Sequence, residues 1–445
     1  MTLHFANELR GKVLLPASKS ISNRVLFINA TLDAPCRIDN LSQCDDTDAM
    51  LRVVNGEAPS AQPISPRSRK GQSASEMADL FGCVEENSAN TQTASKRIDI
   101  GAAGTAMRFA TALLATREGQ HFLLDGTARM RQRPIRVLVD ALRSIGADIS
   151  YTEQKGFPPL LIHGSKLTGT TVELSADVSS QYVSALLMLG PLLPHGLQVK
   201  LRGEIASRPY INLTIGIMER FGARAMWIGE STLYVHSGGY HRTEPFRVEQ
   251  DWSAASYWYE LMALTPDSQA TIQLPGLTAN SMQGDSRVAE LFSALGVQTQ
   301  YDEQGVTLTK VERPEDLFLH IDLSEQPDLA QTLVVTCAML RVPFHFEGLQ
   351  SLRIKETDRL AALQTELAKL GIEVQIRLDS EMLWDGHVRE SLPIVQIDTY
   401  DDHRMAMAFA PCAMLYDGLV INHPEVVSKS YPTFWETLQP FLSQS

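Results

Sequence analysis

The sequence repeats itself. An amphipathic helical pattern that ends at a glycine, followed by an alternating strand-like segment, occurs as PIRVLVDALRSIGADIS, PYINLTIGIMERFGARAMW, SRVAELFSALGVQTQ and RLAALQTELAKLGIEVQI. The closing glycines, Gly146, Gly222, Gly296 and Gly371, recur about every 75 residues, the signature of stacked supersecondary units. Each glycine suits the left-handed cap that ends a helix, and the β-branched residues beyond it suit a strand. A weaker copy, DTDAMLRVVNGE, ends at Gly56, and YPTFWETLQPFL falls where one more period would close the chain. Six helix–strand units are therefore expected in 445 residues, an α/β architecture in which the units bury their faces on one another. The first unit is longer. Its extra length coincides with a Ser-, Gln-, Asn-, Ala- and Pro-rich stretch, Ala58 to Lys96, expected to be a mobile surface excursion.

Charge and cysteines narrow the function classes. There are 39 basic and 52 acidic side chains, a formal net charge of −13, which argues against a general nucleic-acid or anionic-membrane binder. A few cations converging on one small anion remain compatible with that balance. Cys36, Cys44, Cys83, Cys337 and Cys412 are odd in number and widely spaced, with no CxxC pairing, so neither a disulfide framework nor a cysteine zinc site is expected. The N-terminal segment lacks the apolar stretch of a signal peptide. The longest nearly apolar run, Met405 to Leu415, is too short to span a bilayer, and a cytoplasmic location is expected.

Several polar clusters are of the wrong residue types for a core. Ser18-Lys19-Ser20-Ile21-Ser22-Asn23-Arg24 precedes an apolar helical run. A helix start there would present free N–H groups and two cations to an anion, although an ordinary N-cap with solvated charges fits equally. Gly101-Ala102-Ala103-Gly104-Thr105 is small enough for close backbone approach, but is neither a Walker A loop nor a dinucleotide fingerprint. Arg129, Arg131, Arg133 and Arg136 crowd eight residues and need an anionic partner or free solvation. RIKETDRL reads as a helix opening, with Lys355 and Arg359 on one face and Glu356 beneath Leu360. Asp328, Arg404 and Lys429 mark the starts of further helical patterns.

Taken together, LPASKSISNR, GAAGTAMRF, RMRQRPI, VSSQYVSALL, SRPYI, NSMQGD, RIKETDRL, YDDHRMAM and SKSYP resemble the 5-enolpyruvylshikimate-3-phosphate synthase family, in order and from end to end. The resemblance implies a two-domain inside-out α/β barrel of six βαβαββ repeats, three per domain. It pairs residues 1–17 with 248–445, carrying the phosphoenolpyruvate-side KETDR, DDHR and SKS blocks. Residues 18–247 form the shikimate-3-phosphate-side domain, with the active site in the cleft between the two.

The resemblance also implies residue roles. Lys19, Gly104, Arg133, Gln181, Arg359, Arg404 and Lys429 match positions that hold phosphoenolpyruvate. Ser20, Arg24, Ser179, Ser180, Gln181, Ser207, Tyr210, Asp328, Ser351 and Lys355 match positions that hold shikimate 3-phosphate. Asp328 is expected as the base near the 5-hydroxyl, and Glu356 and Lys19 as the groups exchanging a proton at the methylene carbon. His403 is expected to support Asp402 and Arg404. No metal or cofactor is implied, and a monomer with these two small-molecule partners is expected. Three positions depart from the family pattern: Ala102 replaces a common asparagine, Ser351 another asparagine, and Ala17 a glycine. None removes a charge. Two rivals share the repeat, a UDP-N-acetylglucosamine enolpyruvyl transferase and a non-enzymatic repeat scaffold. The first family carries a reactive cysteine just before the arginine matching Arg133, whereas this chain has no cysteine between Cys83 and Cys337. The second leaves the set of cation positions unexplained.

Overall fold

In a computed structural model, described for residues 1–6, 8–56, 95–175, 179–203, 205–389 and 395–443, the chain separates into two compact units. Unit 1 comprises residues 1–18, 206–210 and 249–445, and unit 2 comprises 19–205 and 211–248. Sequence reading placed 206–210 with the 18–247 stretch, whereas by its contacts this short segment goes with unit 1. The excursion expected at 58–96 lies almost wholly outside the described residues.

Twelve α-helices occur among the described residues. They are α1 (Lys19–Asn29), α2 (Asp45–Asn55), α3 (Gly104–Ala115), α4 (Arg136–Ser144), α5 (Ser180–Leu189), α6 (Arg208–Arg220), α7 (Trp252–Leu264), α8 (Val288–Ser293), α9 (Ala330–Met339), α10 (Arg359–Lys369), α11 (His403–Phe409) and α12 (Phe434–Leu438). They alternate in character. The odd-numbered helices are nearly all buried: every residue of α9 and of α11 is, and all but one of α3. A helix that is apolar all round belongs inside a core. α1, α3 and α5 pack on one another in unit 2, as α7, α9 and α11 do in unit 1. Truncating a fully buried Leu333 to Ala would cost about 2–5 kcal/mol. The even-numbered helices are amphipathic. α4 buries Leu138, Val139, Ala141 and Leu142 and turns Arg136 and Asp140 outward, paired at 3.2 Å.

Glycines follow five of the six even-numbered helices, all but α12, as their sequence context requires. Gly56, Gly146, Gly222, Gly296 and Gly371 all have positive φ, a region that side chains with a Cβ avoid. The strands Asp148–Tyr151, Ala225–Ile228, Val297–Tyr301 and Gln375–Arg377 begin within a few residues of the last four.

Four sheets share one topology: a parallel pair joined through a buried helix, extended on one side by an antiparallel hairpin. In unit 2 these are Lys96–Asp99 with His121–Asp125, Leu160–His163 and Asp148–Tyr151, and Thr171–Ser175 with Leu197–Arg202, Thr232–Val235 and Ala225–Ile228. In unit 1, Leu319–Asp322 pairs with Phe344–Glu347, Glu381–Trp384 and Gln375–Arg377 in the same order. The last of the four borrows its first strand, Arg10–Lys12, from the N-terminus, parallel to Thr271–Pro275. Thr2–Leu3 likewise completes the sheet of Gln396–Ile397 and Leu419–Ile421, which ties both ends of the chain into unit 1. A two-stranded parallel sheet, Ile38–Asp39 with Phe246–Arg247, makes three sheets in each unit among the described residues. The six-unit reading of the glycine period is thus met by six sheets.

Candidate active site

The polar residues singled out in the sequence gather at helix starts and in the loops and 3-10 turns beside them, in one constellation in each unit. In unit 1 the centre is Arg359, the first residue of α10 and only 2 % exposed. Its guanidinium donates to three carboxylates: Nε to Asp402 Oδ2 at 2.7 Å, NH1 to Asp328 Oδ1 at 3.1 Å and NH2 to Glu356 Oε2 at 2.9 Å. Burial alone would lower its proton affinity. The charges of Asp402, Glu356 and Asp328 outweigh that and raise it. Asp328 also accepts from Arg404 NH2 at 2.9 Å and Lys355 Nζ at 3.4 Å, and Glu356 accepts from Lys429 Nζ at 2.7 Å. Buried Arg404 is likewise raised, Asp328 being the first of the charges that overcome its desolvation.

Local sequence explains how these groups are aimed. Asp402 is the N-cap of α11 and accepts from the Arg404 backbone N–H, so it fixes the helix start and Arg359 together. The two residues before it, Tyr400 and Asp401, both have φ of +54°, a costly conformation kept where a side chain must be re-aimed. His403 is buried with Nδ1 3.6 Å from Asp402 Oδ1, beside the pair that sequence reading expected it to support.

One expectation is corrected. RIKETDRL does not open as a helix. A 3-10 turn runs Gln350–Ile354, Lys355 is extended, and the helix starts at Arg359. The cause is Asp358, which caps the helix by accepting from Ala361 N and holds Arg353 at 2.7 Å. Lys355 and Glu356 therefore come to Asp328 and Arg359 from a loop, not from a shared helix face. Lys429 similarly ends a 3-10 segment, Pro424–Lys429, instead of opening a helix. Ser351 Oγ is buried with no hydrogen-bond partner among the described residues.

Ser207 and Tyr210 belong to unit 1 by their contacts. Ser207 has φ of +58° and donates its N–H to Ser324 O, while Tyr210 Oη donates to Asp285 Oδ1 at 2.6 Å. Ser253 Oγ holds the other Asp285 oxygen. Burial, and then the charge of Asp328, push the Asp285 carboxyl up to about 6. Tyr257, pushed up to about 12 by burial, accepts from Arg404 NH1. Sequence reading gave Asp285, Ser253 and Tyr257 no role. The NSMQGD block contains Asp285, so a buried acid there was the available signal.

In unit 2, Lys19 opens α1 and lies 3.2 Å from Asp46 of α2. Arg24, one turn on and 3 % exposed, donates to Thr214 Oγ1 at 2.7 Å, Ser184 Oγ at 3.1 Å and the Ser20 carbonyl at 2.8 Å, and lies over the Phe109 ring. Ser179 caps α5 by accepting from Gln181 N, Ser180 is its first residue, and Gln181 Nε2 reaches Thr105 Oγ1 at 3.0 Å. Gly104 starts α3 against Arg133: a Cβ on Gly104 would stand 2.6 Å from Arg133 NH1, so any larger residue there would displace the guanidinium. The four crowded arginines divide. Arg131 pairs with Asp125 and Glu153, Arg136 with Asp140, and Arg129 reaches Gln132, while Arg133 is buried. Ala102 is exposed, and Ala17 bridges to Gln250. Cys36, Cys44, Cys337 and Cys412 are free and buried, and Cys83 lies outside the described residues. No helix among the described residues is long and apolar enough to cross a membrane.

These features define a two-unit α/β protein of the enolpyruvyl transferase fold. Solved structures of EPSP synthase from Acinetobacter baumannii (TM-score 0.69, 21 % identity, 100 % of this chain and 99 % of that one) and of the enolpyruvyl transferase NikO from Streptomyces tendae (0.70, 16 %, 99 % and 97 %) share it. The family model of EPSP synthase (3-phosphoshikimate 1-carboxyvinyltransferase) matches residues 4–438, and the chain belongs to that family. Among curated relatives, the 3-phosphoshikimate 1-carboxyvinyltransferase of Bacteroides fragilis is 49 % identical over 437 residues, covering 97 % of this chain and 95 % of that protein. That of Shewanella loihica is 35 % identical, covering 98 % and 97 %.

Proposed function

We propose that the protein transfers the 1-carboxyvinyl group of phosphoenolpyruvate to the 5-hydroxyl of shikimate 3-phosphate and releases phosphate. The observation that carries this reading is the convergence of Lys355, Arg359, Arg404 and Lys429 on Asp328 and Glu356, within a chain of this family. The two substrates bring several negative charges, which buried cations can hold side by side. Lys19, Gly104, Arg133, Gln181, Arg359, Arg404 and Lys429 bind phosphoenolpyruvate. Ser20, Arg24, Ser179, Ser180, Gln181, Ser207, Tyr210, Asp328, Ser351 and Lys355 bind shikimate 3-phosphate. Both units thus contribute residues.

The reaction needs a proton delivered to the methylene carbon while the 5-hydroxyl oxygen attacks the adjacent carbon and loses its own proton. The tetrahedral intermediate then gives up a methyl proton as the carbon–oxygen bond to phosphate breaks. Asp328 takes the hydroxyl proton. Glu356, between Arg359 and Lys429, and Lys19 exchange the proton at the methylene carbon. The cations around Asp328 and Glu356 oppose the charge that develops on the departing phosphate. The reading includes a cytoplasmic, monomeric protein.

The test is ³¹P NMR of the protein with phosphoenolpyruvate and shikimate 3-phosphate. Loss of the phosphoenolpyruvate signal with inorganic phosphate and an enolpyruvyl ether as products is expected, and no turnover when UDP-N-acetylglucosamine is the acceptor. Turnover with the latter alone would replace this reading with its rival.

A further inference from the structure

A second cluster of chemistry-bearing side chains lies on an outward sheet face of unit 1 that the proposed reaction does not use. In the sheet of Leu319–Asp322, Phe344–Glu347 and Glu381–Trp384, alternate residues point to opposite faces. Leu319, Phe344, Phe346, Met382 and Trp384 go to the core, so His320, His345, Glu347 and Glu381 go to the other face. Register places His320 directly beside His345, and Asp322 beside Glu347. The two imidazoles stack with centroids 4.6 Å apart and planes 2° from parallel. Both present the same atom, Nε2, to the same carboxylate oxygen: His320 at 2.7 Å and His345 at 3.5 Å from Glu347 Oε1. Glu381 Oε2 lies 3.0 Å from His345 Nε2.

We propose that His320, His345 and Glu347, with Glu381 beside them, bind a divalent transition-metal ion of the zinc class. Bonds of about 2.0–2.1 Å to nitrogen and oxygen in tetrahedral geometry set ligand atoms roughly 3.3 Å apart. The spacings of 2.7, 3.0 and 3.5 Å bracket that value before any side chain moves. Two imidazoles in the set select zinc, cobalt, nickel or copper over magnesium or calcium, which prefer all-oxygen shells. Among the described residues this is the one place where three such groups bring ligand atoms within 4.8 Å of one another. His4–Asp417, His387–Asp385 and His423–Glu425 are each a single ring against a single carboxylate. In the His163–Asp148 pair, the His121 ring, its centroid 4.5 Å from that of His163, meets it edge-to-face instead of stacked. His320 and Glu347 are exposed enough for an ion to arrive from solvent. The ion would clip three adjacent strands together and so stabilise unit 1, with no part in the transfer reaction.

The experiment uses the full chain without a polyhistidine tag, stripped with a chelator and titrated with Co²⁺ and then Zn²⁺. Expected are a visible cobalt absorption saturating near one equivalent, its loss when zinc displaces cobalt, and a higher Tm in zinc. His320→Gln, His345→Gln and Glu347→Gln should each weaken cobalt binding by about ten-fold or more. His163→Gln should leave it unchanged, and phosphate release should be unaltered in all four. His320 is the most exposed of the three and carries the test if His345→Gln fails to fold. The absence of stoichiometric binding, or binding that survives His320→Gln with the same affinity, would overturn the assignment.

Discussion

The two units solve the same problem, holding cations inside a protein of net charge −13, in different ways. In unit 1, Arg359 is wrapped by Asp328, Glu356 and Asp402 and shares them with Arg404, Lys355 and Lys429. In unit 2, the described bonds of Arg24 run to two hydroxyls and a carbonyl, and those of Arg108 include the Gly104 and Pro134 carbonyls. Carboxylates neutralise a cation and can also carry protons, whereas neutral oxygens orient a cation without neutralising it. The proton-transfer roles proposed for Asp328 and Glu356 therefore fall in unit 1 and the anchoring role of Arg24 in unit 2, where Lys19, the other proposed proton carrier, is the exception and lies 3.2 Å from the Asp46 carboxylate.

The sharpest way to break that contrast is Arg359→Met. It leaves three carboxylates without their shared cation, and removing one partner of a buried pair costs about 3–5 kcal/mol. Urea unfolding should show a loss of that order, and phosphate release should fall to background. Arg24→Met is next. It should raise the KM for shikimate 3-phosphate by roughly 10²-fold, with a smaller stability loss of about 1–3 kcal/mol. Equal destabilisation by the two variants in urea would erase the distinction between the units.

A pH dependence follows from Asp285. Its folded value of about 6 lies above the ordinary carboxylate value, so the folded state holds the proton more tightly than the unfolded chain. Stability from this group is full below about pH 4 and is lost as pH rises to about 6, by roughly 2–3 kcal/mol. Urea midpoints across that window should show the step in the wild type and lose it in Asp285→Asn. The smallest expected effect is that of Gly104→Ala, whose added Cβ meets the Arg133 guanidinium at 2.6 Å. Because the far end of a flexible side chain can shift, we expect an increase of about ten-fold in the KM for phosphoenolpyruvate and an unchanged urea midpoint. An unchanged KM would mean that Arg133 does not set phosphoenolpyruvate affinity.

What was legible in the sequence was local. The capping glycines announced five of the six periods because a left-handed cap is a property of one residue, and the starts of α1 and α11 announced Lys19 and Arg404. What stayed hidden was set by distance along the chain. Tyr210 meets Asp285 across 75 positions, and His345 meets Glu381 only because their strands lie side by side. The KETDR segment was misread where Asp358, a capping residue, outcompeted helical periodicity and kept Lys355 and Glu356 in a loop. The motif order nominated candidate residues, but did not reveal that the cations of unit 1 would come already paired with acids.

The most direct measurement is the rate of phosphate release from phosphoenolpyruvate and shikimate 3-phosphate in wild type, Arg133→Met and Lys429→Met. These two cations belong to different units. If both constellations serve one reaction, each variant should lose about 10²-fold or more while keeping a wild-type circular dichroism spectrum. Near-normal rates in either folded variant would contradict a shared reaction.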